Sequence, residues 1–126
     1  MKRRTAKLLL DAERACQEIQ DFSIGVTKQA FLDSRMLNLA FTRLTEIIGE
    51  ALKQAADINP ALVHQITNLR KIIGTRNRVI HRYDDVDYSL LWDIATKEVP
   101  LLQRELQALL ESAPGFHGAD HQLDES

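Results

Sequence analysis

The chain has 126 residues, 44% of them apolar, a formal net charge of −2 and one cysteine. That length fits one domain and is too short for two, while the apolar fraction is enough for a buried core. The charge balance excludes a globally basic nucleic-acid binder, so any affinity for phosphates must come from local clustering, and the lone Cys16 excludes an intrachain disulfide.

The opening segment is basic and then apolar, but Asp11, Glu13 and Arg14 interrupt it before a signal-peptide core is complete. No stretch is long and apolar enough to span a bilayer, and a cytoplasmic protein is expected. Leu8, Ala12, Ala15, Ile19 and Phe22 then recur at helical spacing and predict a first helix over residues 3–22. Gly25 stops it, and Thr27 is placed to cap the next. The second helix, over residues 28–56, has the clearest apolar seam, from Leu37 and Phe41 through Ile48 to Ala55. An irregularity is expected near Asp33-Ser34. A second, polar stripe on this helix carries Arg43, Glu46, Glu50 and Lys53.

Asn59-Pro60 is a helix start, with asparagine as cap and proline in the first turn. A third helix is expected from there to about His81, with Leu62, Ile66, Leu69, Ile72 and Ile73 facing the core and a weak point at Gly74. Asp84, Asp85 and Asp87 offer caps for a fourth helix reaching residue 111, with Pro100 kinking it. Trp92 and Tyr88 read as packing residues of that helix, and Cys16 as a small core residue. Residues 112–126 are polar and aperiodic, and a disordered tail is expected there. The sum is an all-α, up-and-down bundle of four to five helices in one domain, residues 1–111.

The chemistry concentrates in residues 76–83, "RNRVIHRY". From Ile58 to Tyr83 there is no acidic side chain, yet Arg70, Lys71, Arg76, Arg78 and Arg82 lie within it. Exposed helices usually mix signs for i,i+4 pairing, and a one-sign cluster instead builds a local positive potential that attracts a phosphate backbone. The plainer reading is a solvated helix face. His81 moves protons near neutral pH. Asn77, four residues earlier, stands on the same face of a continuous helix and is placed to orient the imidazole or bind substrate. Arg76 is five residues before His81, about 140° around an ideal helix. Bringing the two together requires that the helix distort near its end, that Arg76 curl round, or that a second subunit complete the pair. Metal-free RNA cleavage through the 2′-hydroxyl needs a base, an acid and a cation at phosphorus. Arginine serves only as the cation, so a two-fold dimer supplying two copies of His81 fits that demand. Tyr83 is either an aromatic covering the helix junction or an exposed phenol available for stacking or covalent modification.

These residues resemble the Arg-x4-His-x-Tyr signature of HepT-like toxins, within the HEPN superfamily of helical ribonucleases. The stretches "LTEIIGEALKQAA" and "LRKIIGTRNRVIHRYDDVDYSLLWDIATKEVPLLQREL" are similar to that family too, and the likeness covers about residues 5–110. It implies a HEPN-type bundle working as a homodimer, without metal or other cofactor, that cuts RNA (tRNA or mRNA) in a cleft lined by both copies of the motif. By position, Arg76 and His81 match the catalytic pair and Asn77 the polar residue after the arginine. Arg78, Arg82, Arg70 and Lys71 are the expected phosphate contacts. The resemblance also implies a partner, a minimal nucleotidyltransferase (MntA-type) antitoxin of a type VII-like system, which transfers AMP from ATP to the tyrosine matched by Tyr83. AMP there would occupy the cation cluster and repel RNA.

Two other readings compete. A non-catalytic helical subunit would use Arg76 and His81 only to hold a nucleotide or RNA phosphate beside a nucleotidyltransferase. A metal protein would need ligand spacing that His64, His81, His117 and His121 do not provide, so no metal site is expected.

Overall fold

In the computed structural model, residues 1–82 and 85–112 are described. Helix α1 (Arg3–Ser23) packs between two long partners, α3 (Arg35–Ile58) and α7 (Val99–Glu111). Arg4 near the start of α1 donates to Gln54 near the end of α3, so these helices run antiparallel. Glu13 and Gln17 of α1 accept from Gln103 of α7, and Gln107 reaches back to Glu13, so α7 is antiparallel to α1 as well. The result is an all-α bundle built on three long helices.

The core fills from one stripe of each helix. Leu9, Ala12, Cys16 and Ile19 of α1 meet Phe41, Ile48, Leu52 and Ala55 of α3, with Leu102 and Leu106 of α7 closing the far side. Burial pushes the Cys16 thiol up to about 12, as an inert core residue requires. Phe22, expected in the apolar stripe of the first helix, is instead exposed near the C-terminal end of α1.

The irregularity near Asp33-Ser34 is a complete break. Thr27 caps a short α2 (Lys28–Leu32) by accepting from Ala30 N–H, and Ser34 caps α3 by accepting from Leu37 N–H. Buried Asn38 donates to the Phe31 carbonyl at 2.8 Å, a second bond beside the one this carbonyl accepts from Ser34 N–H at the end of α2. This corner presents Phe31 to Phe41 and Trp92, with ring centroids 4.8 and 5.1 Å away.

The expected third helix is broken into pieces. A 3₁₀ turn spans Pro60–His64, Asn68 adopts the left-handed conformation (φ 59°), and two five-residue helices follow, α4 (Leu69–Ile73) and α5 (Thr75–Val79), divided at Gly74. Helix then gives way to a small antiparallel hairpin, β1 (Ile80–Arg82) with β2 (Asp85–Val86), in which Ile80 faces Val86. The Asp87 N–H reaches the Val79 carbonyl at 2.7 Å, closing the hairpin and ending α5 at the β-branched Val79-Ile80 pair. Of the three aspartates offered as caps, Asp87 does the work: its carboxylate accepts from Leu90 N–H at the start of α6 (Tyr88–Asp93). Asp85 lies in β2, and Asp84 lies outside the described residues.

Pro100 produces a local change of pitch. Residues Ile94–Glu98 form a π turn between α6 and α7, ending two residues before Pro100, which cannot donate. The proposed tail beyond Ser112 lies outside the described residues. No helix among the described residues is long and apolar enough to cross a membrane.

Candidate active site

The acid-free stretch receives its carboxylates from α3, α7 and the π turn before α7. Glu46 of α3 accepts from Arg76 Nη1 at 2.9 Å and lies 3.7 Å from Arg43. Glu98, at the end of the π turn, takes both Nη atoms of Arg78 at 2.8 Å in a fork-on-fork pair. Glu105 of α7 accepts from the Thr67 amide and hydroxyl. The expectation of an uncompensated one-sign cluster is therefore corrected for three of its five cations: Arg76 and Arg78 are paired across the fold, and Arg82 lies beside Asp85 of the hairpin.

Arg76 lies on the wall of an open cleft of about 300 Å³ between α3 and the α4–α5 junction, lined also by Arg43, Glu46, Glu50, Lys53 and Ile73. The polar stripe read on the second helix is thus one wall of this cleft. Gly49 sets its depth. A Cβ there would stand 3.2 Å from the Ile73 carbonyl oxygen, so any side chain would push the two backbones apart by a few tenths of an ångström.

Because α5 ends at Val79, Arg76 and Asn77 sit on a helix while His81 sits on the adjoining strand. The helix ends before His81, so the i,i+4 alignment of Asn77 with His81 expected on a continuous helix does not apply. The Arg76 side chain is 66% exposed and that of His81 53%. His81 Nε2 is 3.7 Å from Asp87 Oδ2, an ion pair when the imidazole is protonated. Arg82 is exposed, 4.0 Å from Asp85. Arg70 and Lys71 are exposed on α4. Arg78 differs from the rest, since its guanidinium is largely covered and occupied. The bidentate hydrogen bond holds the Glu98 carboxyl below the usual range and raises Arg78.

Tyr83, His117 and His121 lie outside the described residues. Among the described residues no group of three or more His, Cys, Asp and Glu is placed to hold a metal ion. Sequence reasoning did not assign Glu46, Gly49 or Glu98 to the site. The signal for Glu46 was present, because it shares a polar stripe with Arg43, Glu50 and Lys53, but periodicity cannot say what faces a stripe.

An all-α bundle that displays an Arg-x4-His element on a short helix and the strand after it has the makings of a HEPN-type protein. Comparison with known proteins fixes the class: the chain belongs to the HepT-like ribonuclease family, whose model matches residues 12–109. It is 31% identical over 108 residues to "Putative RNase MJ1380" of Methanocaldococcus jannaschii, covering 84% of this chain and 96% of that protein. It is 30% identical over 109 residues to "Probable ribonuclease HepT" of Thermococcus cleftensis, covering 86% and 98%. "Putative RNase TTE0752" of Caldanaerobacter subterraneus is 30% identical over 96 residues, covering 76% and 85%. No solved structure matches the chain.

Proposed function

We propose that the protein is the toxin of a two-component system, a metal-independent endoribonuclease that acts as a homodimer. The observation that carries this reading is the end of α5 at Val79, which leaves Arg76 and Asn77 on a helix and His81 on a strand, all exposed to solvent. A phosphodiester bound at Arg76 has its charge neutralised by a cation that never deprotonates. One His81 imidazole takes the 2′-hydroxyl proton and O2′ bonds to phosphorus. The P–O5′ bond then breaks, and the imidazolium of the second protomer's copy returns a proton to O5′. The products are a 2′,3′-cyclic phosphate and a free 5′-hydroxyl, with no other reactant consumed. Asn77 binds substrate beside Arg76, while Arg70, Lys71 and Arg82 supply phosphate contacts. Arg78 supports the site from behind by tying α5 to Glu98.

Control of the toxin falls to a cognate minimal nucleotidyltransferase that transfers AMP to Tyr83. Family membership and the position of Tyr83, two residues after His81, support this assignment.

The test is cleavage of total tRNA, and of a synthetic mRNA, by purified protein in EDTA. Wild type is expected to cut. His81→Ala should lower the rate roughly 10²- to 10⁴-fold, and Arg76→Ala roughly 10²- to 10³-fold. Undiminished cleavage by His81→Ala would overturn the assignment, and no cleavage by wild type would leave a phosphate-binding subunit as the better description. Co-expression with the nucleotidyltransferase should add AMP mass that Tyr83→Phe abolishes.

A further inference from the structure

The sequence offers Arg76 no carboxylate nearby, but the fold gives it an acceptor in Glu46. Arg76 sits on a five-residue helix, and its side chain is mostly exposed. A free arginine in that setting samples many rotamers, and a cation that wanders cannot hold a phosphorus atom in line for attack. Glu46 comes from the middle of the 24-residue α3, the longest rigid element of the molecule. Its side chain is 30% exposed, so the carboxylate is partly shielded by the cleft wall. The contact has one short bond to Arg76 Nη1, at 2.9 Å, and Arg43 stands 3.7 Å away on the other carboxylate oxygen.

We infer that Glu46 is a positioning residue, anchoring the Arg76 guanidinium at the edge of the α3 cleft so that its remaining donors meet a phosphodiester. The inference rests on the ribonuclease reading of Arg76. A guanidinium has five N–H donors, and Glu46 takes one, which leaves enough for bidentate phosphate binding. Arg43 offsets the charge of Glu46, so the carboxylate orients Arg76 without cancelling the cleft's attraction for an anion. Gly49, less than one turn further along α3, completes the device: its close approach to the Ile73 carbonyl holds the base of α5 against the helix that bears Glu46.

The experiment combines kinetics with a structural readout. Glu46→Ala and Glu46→Gln are compared with wild type on a short single-stranded RNA in EDTA, with thermal unfolding as a check on folding. Glu46→Ala should lower kcat roughly 10- to 100-fold while KM moves little, because orientation and not binding is lost. Glu46→Gln should recover most of that loss, since its amide oxygen still accepts from Arg76. In parallel, 15N relaxation of the Arg76 Nε–H should show an ordered side chain in wild type and a mobile one in Glu46→Ala. Wild-type or faster turnover by Glu46→Ala, or equal mobility of Arg76 in both proteins, overturns the inference. Faster turnover would instead mark Glu46 as a competitor for the phosphate site. If wild-type protein cuts no RNA, the ribonuclease reading fails, and the relaxation comparison still decides whether Glu46 fixes Arg76.

Discussion

The body formed by α1, α3 and α7 and the segment from Asn59 to Asp87 obey different rules. The body consists of long amphipathic helices whose buried stripes meet in one core. The segment is a chain of short pieces, none longer than five residues: a 3₁₀ turn, two one-turn helices and a hairpin. Such pieces cannot persist by themselves, because a helix nucleus fixes many dihedrals for few hydrogen bonds. They are held by buried anchors such as Leu62, Ile66, Leu69, Ile72 and Val79, and by carboxylates reaching across from the body and the π turn before α7: Glu46 to Arg76, Glu98 to Arg78, Glu105 to Thr67. The body supplies most of the buried core, and the segment carries the residues proposed to handle RNA. Its acid-free part, residues 59–82, is thereby held by carboxylates that lie outside it.

The sharpest way to break this division is to cut into the body where it meets the corner. Phe41 is fully buried, tilted against Phe31 and stacked on Trp92. Phe41→Ala should cost about 3–5 kcal/mol of stability through lost transfer free energy and the cavity left behind, read as a fall in the midpoint of chemical denaturation. His81→Ala should leave that midpoint within about 0.5 kcal/mol of wild type, because its side chain is an exposed surface group. A large loss of stability from His81→Ala would show that the segment is part of the folding core.

The two regions also differ in how far the sequence reveals them. Helix α1 is readable because its apolar residues recur at helical steps over 21 residues. The α2–α3 corner is partly readable, since Ser34 and Thr27 are capping residues by type, but nothing local says that Asn38 will turn inward to the Phe31 carbonyl. The segment around Gly74 misleads, because Leu69, Ile72, Ile73 and Ile80 keep a helical period through a region that is only intermittently helical. What decides its shape is non-local: the Asp87 amide on the Val79 carbonyl and the fork of Arg78 on Glu98, twenty residues away. Arg76, Asn77, His81 and Tyr83 were recognisable as a motif, whereas the cleft that receives Arg76 required α3 to be placed beside α5.

A more moderate test addresses the joint between the regions. Arg78 and Glu98 are only 23% and 24% exposed, and their pair is bidentate. Arg78→Ala should destabilise the fold by about 2 kcal/mol, the scale of a charge-assisted hydrogen bond lost from a partly buried site. Arg78→Lys should recover only part of this, because an ammonium keeps the charge and loses the fork. The pH dependence follows from Glu98, whose carboxyl is held low first by the hydrogen bond from Arg78. A depressed native pKa means stability that is fully present above the usual carboxylate range, near 4.3, and lost as pH falls through the lowered value. The stability gap between wild type and Glu98→Gln, measured by urea unfolding, should be widest near neutrality and narrow steadily below about pH 4. A gap independent of pH would mean that the pair contributes packing and not charge.

The smallest effect comes from two buried polar residues of the body that look alike by type and differ in their surroundings. Gln103 is buried on α7, but its amide donates to Glu13 and Gln17 of α1 and its oxygen accepts from Gln20. Thr5 is buried on α1, and among the described residues its hydroxyl is the one buried side-chain polar atom without a partner. An unmet hydroxyl has lost its water and gained nothing in return. Thr5→Val keeps the branched shape and removes the unmet group, so it should stabilise the protein by about 0.5–1 kcal/mol, seen as a small rise in Tm. Gln103→Leu removes a satisfied network and strands the α1 side chains that bonded to it, so it should lower Tm. If both substitutions moved Tm in the same direction, burial alone would govern these positions. Opposite signs would show that the α1–α7 seam owes its register to polar pairing as much as to its apolar stripe.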